Sequence, residues 1–151
     1  MIWAVVCLVV VAAVAAVLVL ALSPASGGGG SPRAVYLQRA GRICAREGAR
    51  LDRIPPPVDI ASPGNVLATV DKALPIVREQ AALIRALTPP ADLRSLVARF
   101  FVLTDRSIGE LEAVRRAAEH TDVASIGIGL RTYGAIENQA KALARRIGYR
   151  C

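Results

Sequence analysis

The sequence predicts an all-α protein, with an N-terminal transmembrane or signal helix followed by an antiparallel up-down four-helix bundle. Residues 2–22 form one continuous apolar run without a charged side chain. Beyond this run, four segments repeat apolar residues at steps of three and four, which is the spacing of an amphipathic helix. No stretch shows the sustained two-residue alternation of a β-strand, and the segments that join the helices are short, as in a bundle.

The apolar run is interpreted as a membrane anchor. As a helix, residues 2–22 would cover about 30 Å, which matches the hydrocarbon core of a bilayer, and Trp3 lies near one end, where an indole ring suits the headgroup level. A cleaved signal peptide would begin with basic residues and carry an apolar segment of about 7–15 residues. The run has neither property, so an uncleaved single-pass anchor is favoured, with a secreted protein after signal cleavage as the alternative.

The chain therefore divides into three regions. Residues 1–22 are the anchor or signal helix, residues 23–32 are a Gly/Ser/Pro linker, and residues 33–151 are the helical bundle. Four consecutive glycines make the linker a flexible coil. Such a short tether would keep the bundle near the membrane surface.

The first predicted helix spans residues 32–52, because Ser31 is a suitable N-cap and Pro32 suits the first helical position. The proline-rich segment 54–64 ends it. Its apolar side comprises Leu37, Ala40, Ile43, Cys44 and Leu51, and its opposite side carries an arginine stripe comprising Arg39, Arg42, Arg46, Arg50 and Arg53.

Three further helices are predicted over residues 65–87, 91–119 and from Thr121 or Asp122 to a stop at Gly148. Pro75 should kink the second without ending it, because the apolar spacing continues in phase beyond it. The fourth helix contains Gly127, Gly129 and Gly134. These glycines either loosen its first half or permit a close approach by a neighbouring helix.

The charge of the chain lies at the two ends of the bundle sequence. The net charge is +7, with +4 in residues 31–54, −1 in residues 55–137 and +4 in residues 138–151. If the first and fourth helices are neighbours, one basic surface could form. The candidate binding residues are Arg39, Arg42, Arg46, Arg50, Arg145, Arg146 and Arg150.

Arginine suits phosphate groups because its planar fork donates two hydrogen bonds at once. The expected partners are therefore the membrane through residues 2–22, together with an anionic envelope polymer, lipid headgroups or a protein partner. The alternative is a solvated face whose bases complement helix C-terminal dipoles. Charge alone would also admit nucleic acid, but the membrane run and the lack of interleaved aromatic residues argue against it.

Two cysteines lie in the bundle region. Cys44 is on the apolar side of the first helix and Cys151 follows the fourth, and these helices are usually neighbours in an up-down bundle. A Cys44–Cys151 disulfide is predicted, with two unpaired thiols as the alternative. Disulfides persist in oxidising compartments, so the pair would place the bundle on the extracytoplasmic side of the cell membrane.

Several short motifs carry a resemblance to known proteins. They are Ile43-Cys44-Ala45, Leu87-Thr88-Pro89-Pro90, residues 117–122 and residues 140–151. The chain resembles a group of small uncharacterised secreted or membrane-anchored helical proteins from high-GC Gram-positive bacteria. The resemblance implies that the two cysteines pair, and it implies no particular activity.

No catalytic, metal or cofactor site is predicted. The only histidine, His120, lies near Glu119 and Asp122, which is either a weak metal or pH-sensitive site or a solvated helix end. There is no Cys-x-x-Cys pair, no nucleophile–histidine constellation and no dinucleotide fingerprint. The sequence thus favours a membrane-anchored, non-catalytic binding module at the cell envelope. The alternative is a cytoplasm-facing basic domain that binds nucleic acid or anionic lipid.

Overall fold

The computed structural model of the chain describes residues 30–150. These residues form a helical bundle of four α-helices and one short 3-10 helix, without a β-strand in that range. The helices are α1 (Pro32–Leu51), α2 (Pro63–Arg85), the 3-10 helix (Ala91–Leu93), α3 (Arg94–Glu119) and α4 (Val123–Ile147). The predicted anchor, most of the predicted linker and Cys151 lie outside the described residues. Within residues 30–150, no helix is both long enough and apolar enough to cross a bilayer.

Local sequence chemistry explains three helix ends, namely the start of α1 and both ends of α4. The Ser31 hydroxyl accepts a hydrogen bond from the Ala34 N–H at 3.2 Å, and the Asp122 carboxylate accepts one from the Ser125 N–H at 3.0 Å. Both residues are the predicted N-caps. Gly148 ends α4 with a left-handed φ of 99°, which glycine adopts without steric cost. The predicted starts and the predicted stop are therefore confirmed.

Four helix boundaries differ from the prediction: α1 ends at Leu51 rather than at residue 52, α2 ends at Arg85 rather than at residue 87, and two helix starts differ as well. The helix α2 begins at Pro63 rather than at residue 65. Pro63 takes the first helical position as Pro32 does in α1, but the Ser62 side chain makes no capping hydrogen bond. The third predicted helix begins as a 3-10 helix and becomes α-helical only at Arg94. The helix α2 continues through Pro75, as the apolar spacing predicts.

The helices pack in chain order. The α3–α4 contact is the most extensive, α2 packs on the other side of α3, and α1 packs against α2 over a smaller area. Ion pairs show that α2 and α3 are antiparallel, because Arg85 pairs with Asp105 near one end and Asp71 pairs with Arg115 near the other.

The core consists of two apolar clusters. One lies where the start of α1, the end of α2, the start of α3 and the end of α4 meet, and it includes Tyr36, Ile84, Leu93 and Ile147. We call this end of the bundle the entry end, because the chain enters the domain there. The other cluster lies at the opposite end, where the start of α2 meets the end of α3 and the start of α4. The helix α1 contributes to the entry-end cluster only.

The buried face of α1 differs in part from the predicted apolar side. Ala40 and Cys44 are buried, as predicted. Leu37, Ile43 and Leu51 are only half-buried, whereas Tyr36 and Glu47 are buried. The face is thus rotated slightly from the predicted one, and it carries a carboxylate.

The glycines of α4 do not act alike. A Cβ atom at Gly129 would lie 2.6 Å from Val114 Cγ2 on α3, which is closer than two carbon atoms can approach. At Gly134 a Cβ atom would meet nothing within 4 Å. The predicted close helix approach is confirmed at Gly129, where α3 and α4 are in contact.

Candidate binding surfaces

The arginine stripe of α1 is only partly free to bind a partner. Arg39 and Arg42 are exposed and form no ion pair with any described residue. Arg46 and Arg50 are held by carboxylates. Arg46 Nε donates to Glu47 at 2.6 Å, and Arg50 Nη1 donates to Glu47 and Glu79, both at 2.5 Å. Arg53 is likewise exposed without an ion pair among the described residues, so the stripe offers three unpaired guanidinium groups beside two that are already neutralised.

Glu47 explains why Arg46 and Arg50 are held in this way. Its side chain is fully buried although it carries a charge, and a buried carboxylate requires compensating donors. Burial by itself would raise the pKa of Glu47, but hydrogen bonds and charge from Arg46 and Arg50 outweigh burial and hold that pKa below its ordinary value. Arg46 and Arg50 thus have a structural role. The sequence prediction gives them the same binding role as Arg39 and Arg42.

The arginines of α4 are exposed at the entry end. Arg145, Arg146 and Arg150 are exposed, and none forms an ion pair with a described residue. Nearby, Gly148 lies against Leu37 of α1, since a Cβ atom there would be 3.3 Å from Leu37 Cδ1.

The arginines at the end of α4 and the arginine stripe of α1 lie at different flanks of α1. Leu37 marks the α1 flank next to the end of α4, and Arg50 marks the flank next to α2 through its bond to Glu79. The two positions are about 140° apart around a helix with 3.6 residues per turn. The structure therefore presents two separate groups of arginines rather than bringing all seven candidates together.

A groove lies between α2 and α3. It has a volume of about 480 Å³, and Leu74, Pro75 and Arg116 contribute to its lining together with five residues that form ion pairs. Arg78 donates to Glu112 at 2.5 Å, and Arg115 donates to Asp71 at 2.6 Å and lies 3.1 Å from Glu119. Because the lining charges neutralise one another, the groove has no excess charge of the kind that would select an ionic ligand.

Four aromatic residues cluster at the entry end. The hydroxyl groups of Tyr36 and Tyr149 share a hydrogen bond, and the Tyr149 ring lies edge-on to Phe100 at a centroid distance of 5.3 Å. Phe101 contacts Phe100 at 5.6 Å and accepts the Arg85 guanidinium over its ring at 4.5 Å. Burial raises the pKa of Tyr149, and the bond to Tyr36 adds to this shift. This cluster fastens the segment after α4 to α1, so it acts as a structural lock.

The sequence prediction did not include this aromatic lock. Tyr36 and Tyr149 are 113 residues apart, and only the fold brings them together. A local signal was present at Gly148, since a glycine that ends a helix in the left-handed conformation turns the next side chain back onto the helix. The Tyr149 N–H bonds the Ala144 carbonyl at 2.9 Å, which is the bond of that motif.

The described residues contain no group of three or more His, Cys, Asp or Glu side chains that could hold a metal ion. His120 is exposed at the turn between α3 and α4. The Ser107 hydroxyl is buried without a hydrogen-bond partner in the described part of the chain.

Only one of the two cysteines of the predicted disulfide, Cys44, lies among the described residues. Cys44 is buried on the inner face of α1, with 2% of its surface exposed. Cys151 lies outside the described residues, so the pairing stays a prediction. Tyr149, two residues before Cys151, contacts Tyr36 of α1. Ala40 and then Cys44 follow Tyr36 along the same buried face of that helix.

Comparison of the chain with protein-family models, with curated proteins and with solved structures finds no match. The function of this chain must therefore be inferred from its own charges, burial and contacts. Among these features, the two groups of unpaired arginines are the clearest candidates for contact with another molecule.

Proposed function

We propose that the protein is a membrane-anchored extracytoplasmic domain that acts by binding an anionic component of the cell envelope rather than by catalysis. In this proposal, residues 2–22 anchor the chain and residues 33–151 form an antiparallel up-down four-helix bundle outside the membrane. The bundle belongs with the small secreted or membrane-anchored helical proteins of high-GC Gram-positive bacteria that the sequence resembles.

The anchor is supported by the sequence alone. An uncharged apolar run of this length matches one bilayer crossing. The extracytoplasmic side is supported by the proposed Cys44–Cys151 disulfide, because such bonds persist in oxidising compartments. The burial of Cys44 and the contact of Tyr149 with α1 are compatible with that bond.

The observation that carries the binding proposal is the imbalance between bases and acids on the surface. Among the described residues, six arginines form ion pairs, and these pairs use seven of the twelve acidic residues of the chain. Five of the candidate arginines remain exposed without such a partner: Arg39, Arg42, Arg145, Arg146 and Arg150. Guanidinium groups that are not neutralised internally can bind phosphate or carboxylate oxygens in a two-point geometry.

The test is retention of the full-length protein on isolated anionic envelope polymer. Two variants remove one arginine group each, namely Arg39→Ser with Arg42→Ser, and Arg145→Ser with Arg146→Ser. A matched control, Arg106→Ser with Arg131→Ser, removes the same charge from exposed unpaired positions elsewhere. The proposal predicts that at least one test pair loses retention while the control retains it. Equal retention of all three variants, or equal loss in all three, would contradict the proposal.

A further inference from the structure

The two ends of the bundle carry opposite charge. The entry end comprises residues 31–36, 86–96 and 144–150, which contain five arginines and a single acidic residue, Asp92. The arginines are Arg33, Arg94, Arg145, Arg146 and Arg150. At the opposite end, residues 58–66 and 118–126 contain neither lysine nor arginine, and of their acidic residues Glu119 pairs with Arg115 of the preceding turn, which leaves Asp59 and Asp122. Asp92 is bonded to Arg33 at 2.8 Å, so the remaining four arginines have no acidic partner among the described residues of this end.

The packing shows that these segments do share an end. Tyr36, Leu93, Ile147 and Tyr149 belong to one core cluster, and Arg33 pairs with Asp92 across the same end. Val66, Ala118 and Ile126 belong to the other cluster. The 26 residues of α3 separate the ends by about 39 Å at the rise of an α-helix. The charge asymmetry is therefore a property of the folded domain, although the sequence distributes it over three distant segments.

The chain also enters the domain at the basic end, through Ser31. The ten residues 23–32 that join the apolar run to α1 can span at most about 35 Å. In physiological salt, charges are screened over about 8 Å. If residues 2–22 lie in a bilayer, this covalent limit allows the entry end to reach the headgroups.

We propose that the entry end docks on the anionic phospholipid headgroups of the bilayer that anchors the chain, through Arg94, Arg146 and Arg150. This inference rests on the proposed function, because it takes residues 2–22 as the anchor. Docking holds the bundle upright, with the acidic end and its exposed Val58, Ile60 and Val123 directed away from the membrane. Arginines next to a membrane segment are attracted to anionic lipid, and the acidic end is repelled by it.

The experiment uses the full chain in lipid nanodiscs made of phosphatidylcholine, either alone or mixed with phosphatidylglycerol. Amide hydrogen exchange is measured by mass spectrometry for the segments of both ends. We expect slower exchange in residues 86–96 and 144–150 in the anionic discs only, with no change in residues 58–66 and 118–126. Raising the salt to about 1 M, where the screening length is about 3 Å, should abolish the difference.

Two charge-reversed variants separate docking from a general effect of charge. The test variant carries Arg94→Glu, Arg146→Glu and Arg150→Glu, and the control carries Arg106→Glu, Arg116→Glu and Arg131→Glu, all at exposed positions without ion pairs among the described residues. The protection should be lost in the test variant and kept in the control. If circular dichroism shows that the test variant is unfolded, the salt dependence of hydrogen exchange in the unmodified chain tests the proposal instead.

Two results would overturn the inference. Equal exchange in both kinds of disc, for a chain that is incorporated into them, would refute docking and leave the proposed anchor intact. Protection that is insensitive to salt, or lost equally in both variants, would refute the role of these arginines. A chain that is not incorporated even into phosphatidylcholine discs would contradict the anchor, and with it both proposals.

Discussion

Glu47 is a charged residue at a position where the helical spacing calls for an apolar one. It lies three residues after Cys44 on the inner face of α1, and it is fully buried. Sequence spacing could not predict this burial, because an acidic residue next to a row of arginines is typical of a solvated helix face. What makes the burial possible is the pair of donors from Arg46 and Arg50, and Glu79 holds Arg50 in place.

The lowered pKa of Glu47 predicts a specific dependence of stability on pH. A carboxyl group whose pKa is lower in the folded than in the unfolded state stabilises the fold above its unfolded pKa of about 4.3, and this contribution disappears as the pH falls through the folded pKa. Glu47→Gln should therefore reduce the free energy of unfolding at neutral pH, and its difference from the unmodified protein should shrink below about pH 4. Urea unfolding at a series of pH values measures this difference.

Glu110→Gln is the matched control, because Glu110 is half-buried on α3 and forms no ion pair with a described residue. Its effect on the free energy of unfolding should be small at every pH. A Glu47→Gln effect that is equally small, or one that does not change with pH, would contradict the role assigned to the buried carboxylate.

Gly129 and Gly134 lie in the same helix but should respond oppositely to the same substitution. Gly129→Ala places a methyl group against buried Val114, whose branched side chain is stiff in a helix, so we expect a loss of about 1–3 kcal/mol. Gly134→Ala has open space and should stabilise the protein by about 0.5–1 kcal/mol through helix propensity. Chemical denaturation of the two variants makes the comparison.

A double variant tests whether the Gly129 effect comes from the Val114 contact. Gly129→Ala combined with Val114→Ala should cost less than the sum of the two single substitutions, because each methyl group then fills space that the other has left. Additive losses would show that the crossing of α3 and α4 is not set by this contact.

At the scale of the element, helix existence and type follow from the sequence, and the boundaries follow where a cap is present. Ser31, Asp122 and Gly148 mark their helix ends because each satisfies backbone groups that the helix leaves unpaired. Ser62 and Pro63 carry the same signal as Ser31 and Pro32, and the sequence prediction overlooked it. No such signal marks the 3-10 helix Ala91–Leu93, which directly follows the extended backbone of Pro90.

Gly148 should tolerate substitution poorly because it combines a left-handed backbone with a close contact. An L-residue in this conformation costs about 1–2 kcal/mol, and a Cβ atom would also press on Leu37. Gly148→Ala should therefore lower the thermal midpoint. Gly148→Asn should lower it less than Gly148→Ala, because asparagine tolerates this conformation better than alanine. Equal midpoints for Gly148→Ala and the unmodified protein would mean that the end of α4 can adopt another conformation.

At the scale of the molecule, the sequence predicts the number of helices, their order and the position of charge along the chain. It could not predict which arginines share a surface, because that depends on the flank of α1 that each neighbouring helix covers. Arg50 lies on the flank of α1 that faces α2, whereas the end of α4 contacts the flank marked by Leu37. The aromatic lock depends on a contact between residues 113 positions apart, and no local pattern reports it.

The compartment of the bundle is the central claim, and the Cys44–Cys151 pairing tests it most directly. Protein isolated from its own cells would be alkylated at free thiols, digested without reduction and analysed by mass spectrometry. The account predicts a peptide pair linked through Cys44 and Cys151 that separates on reduction, as expected for a bundle in an oxidising compartment. Alkylated Cys44 and Cys151 on separate peptides would contradict the extracytoplasmic assignment and would favour a basic domain that faces the cytoplasm.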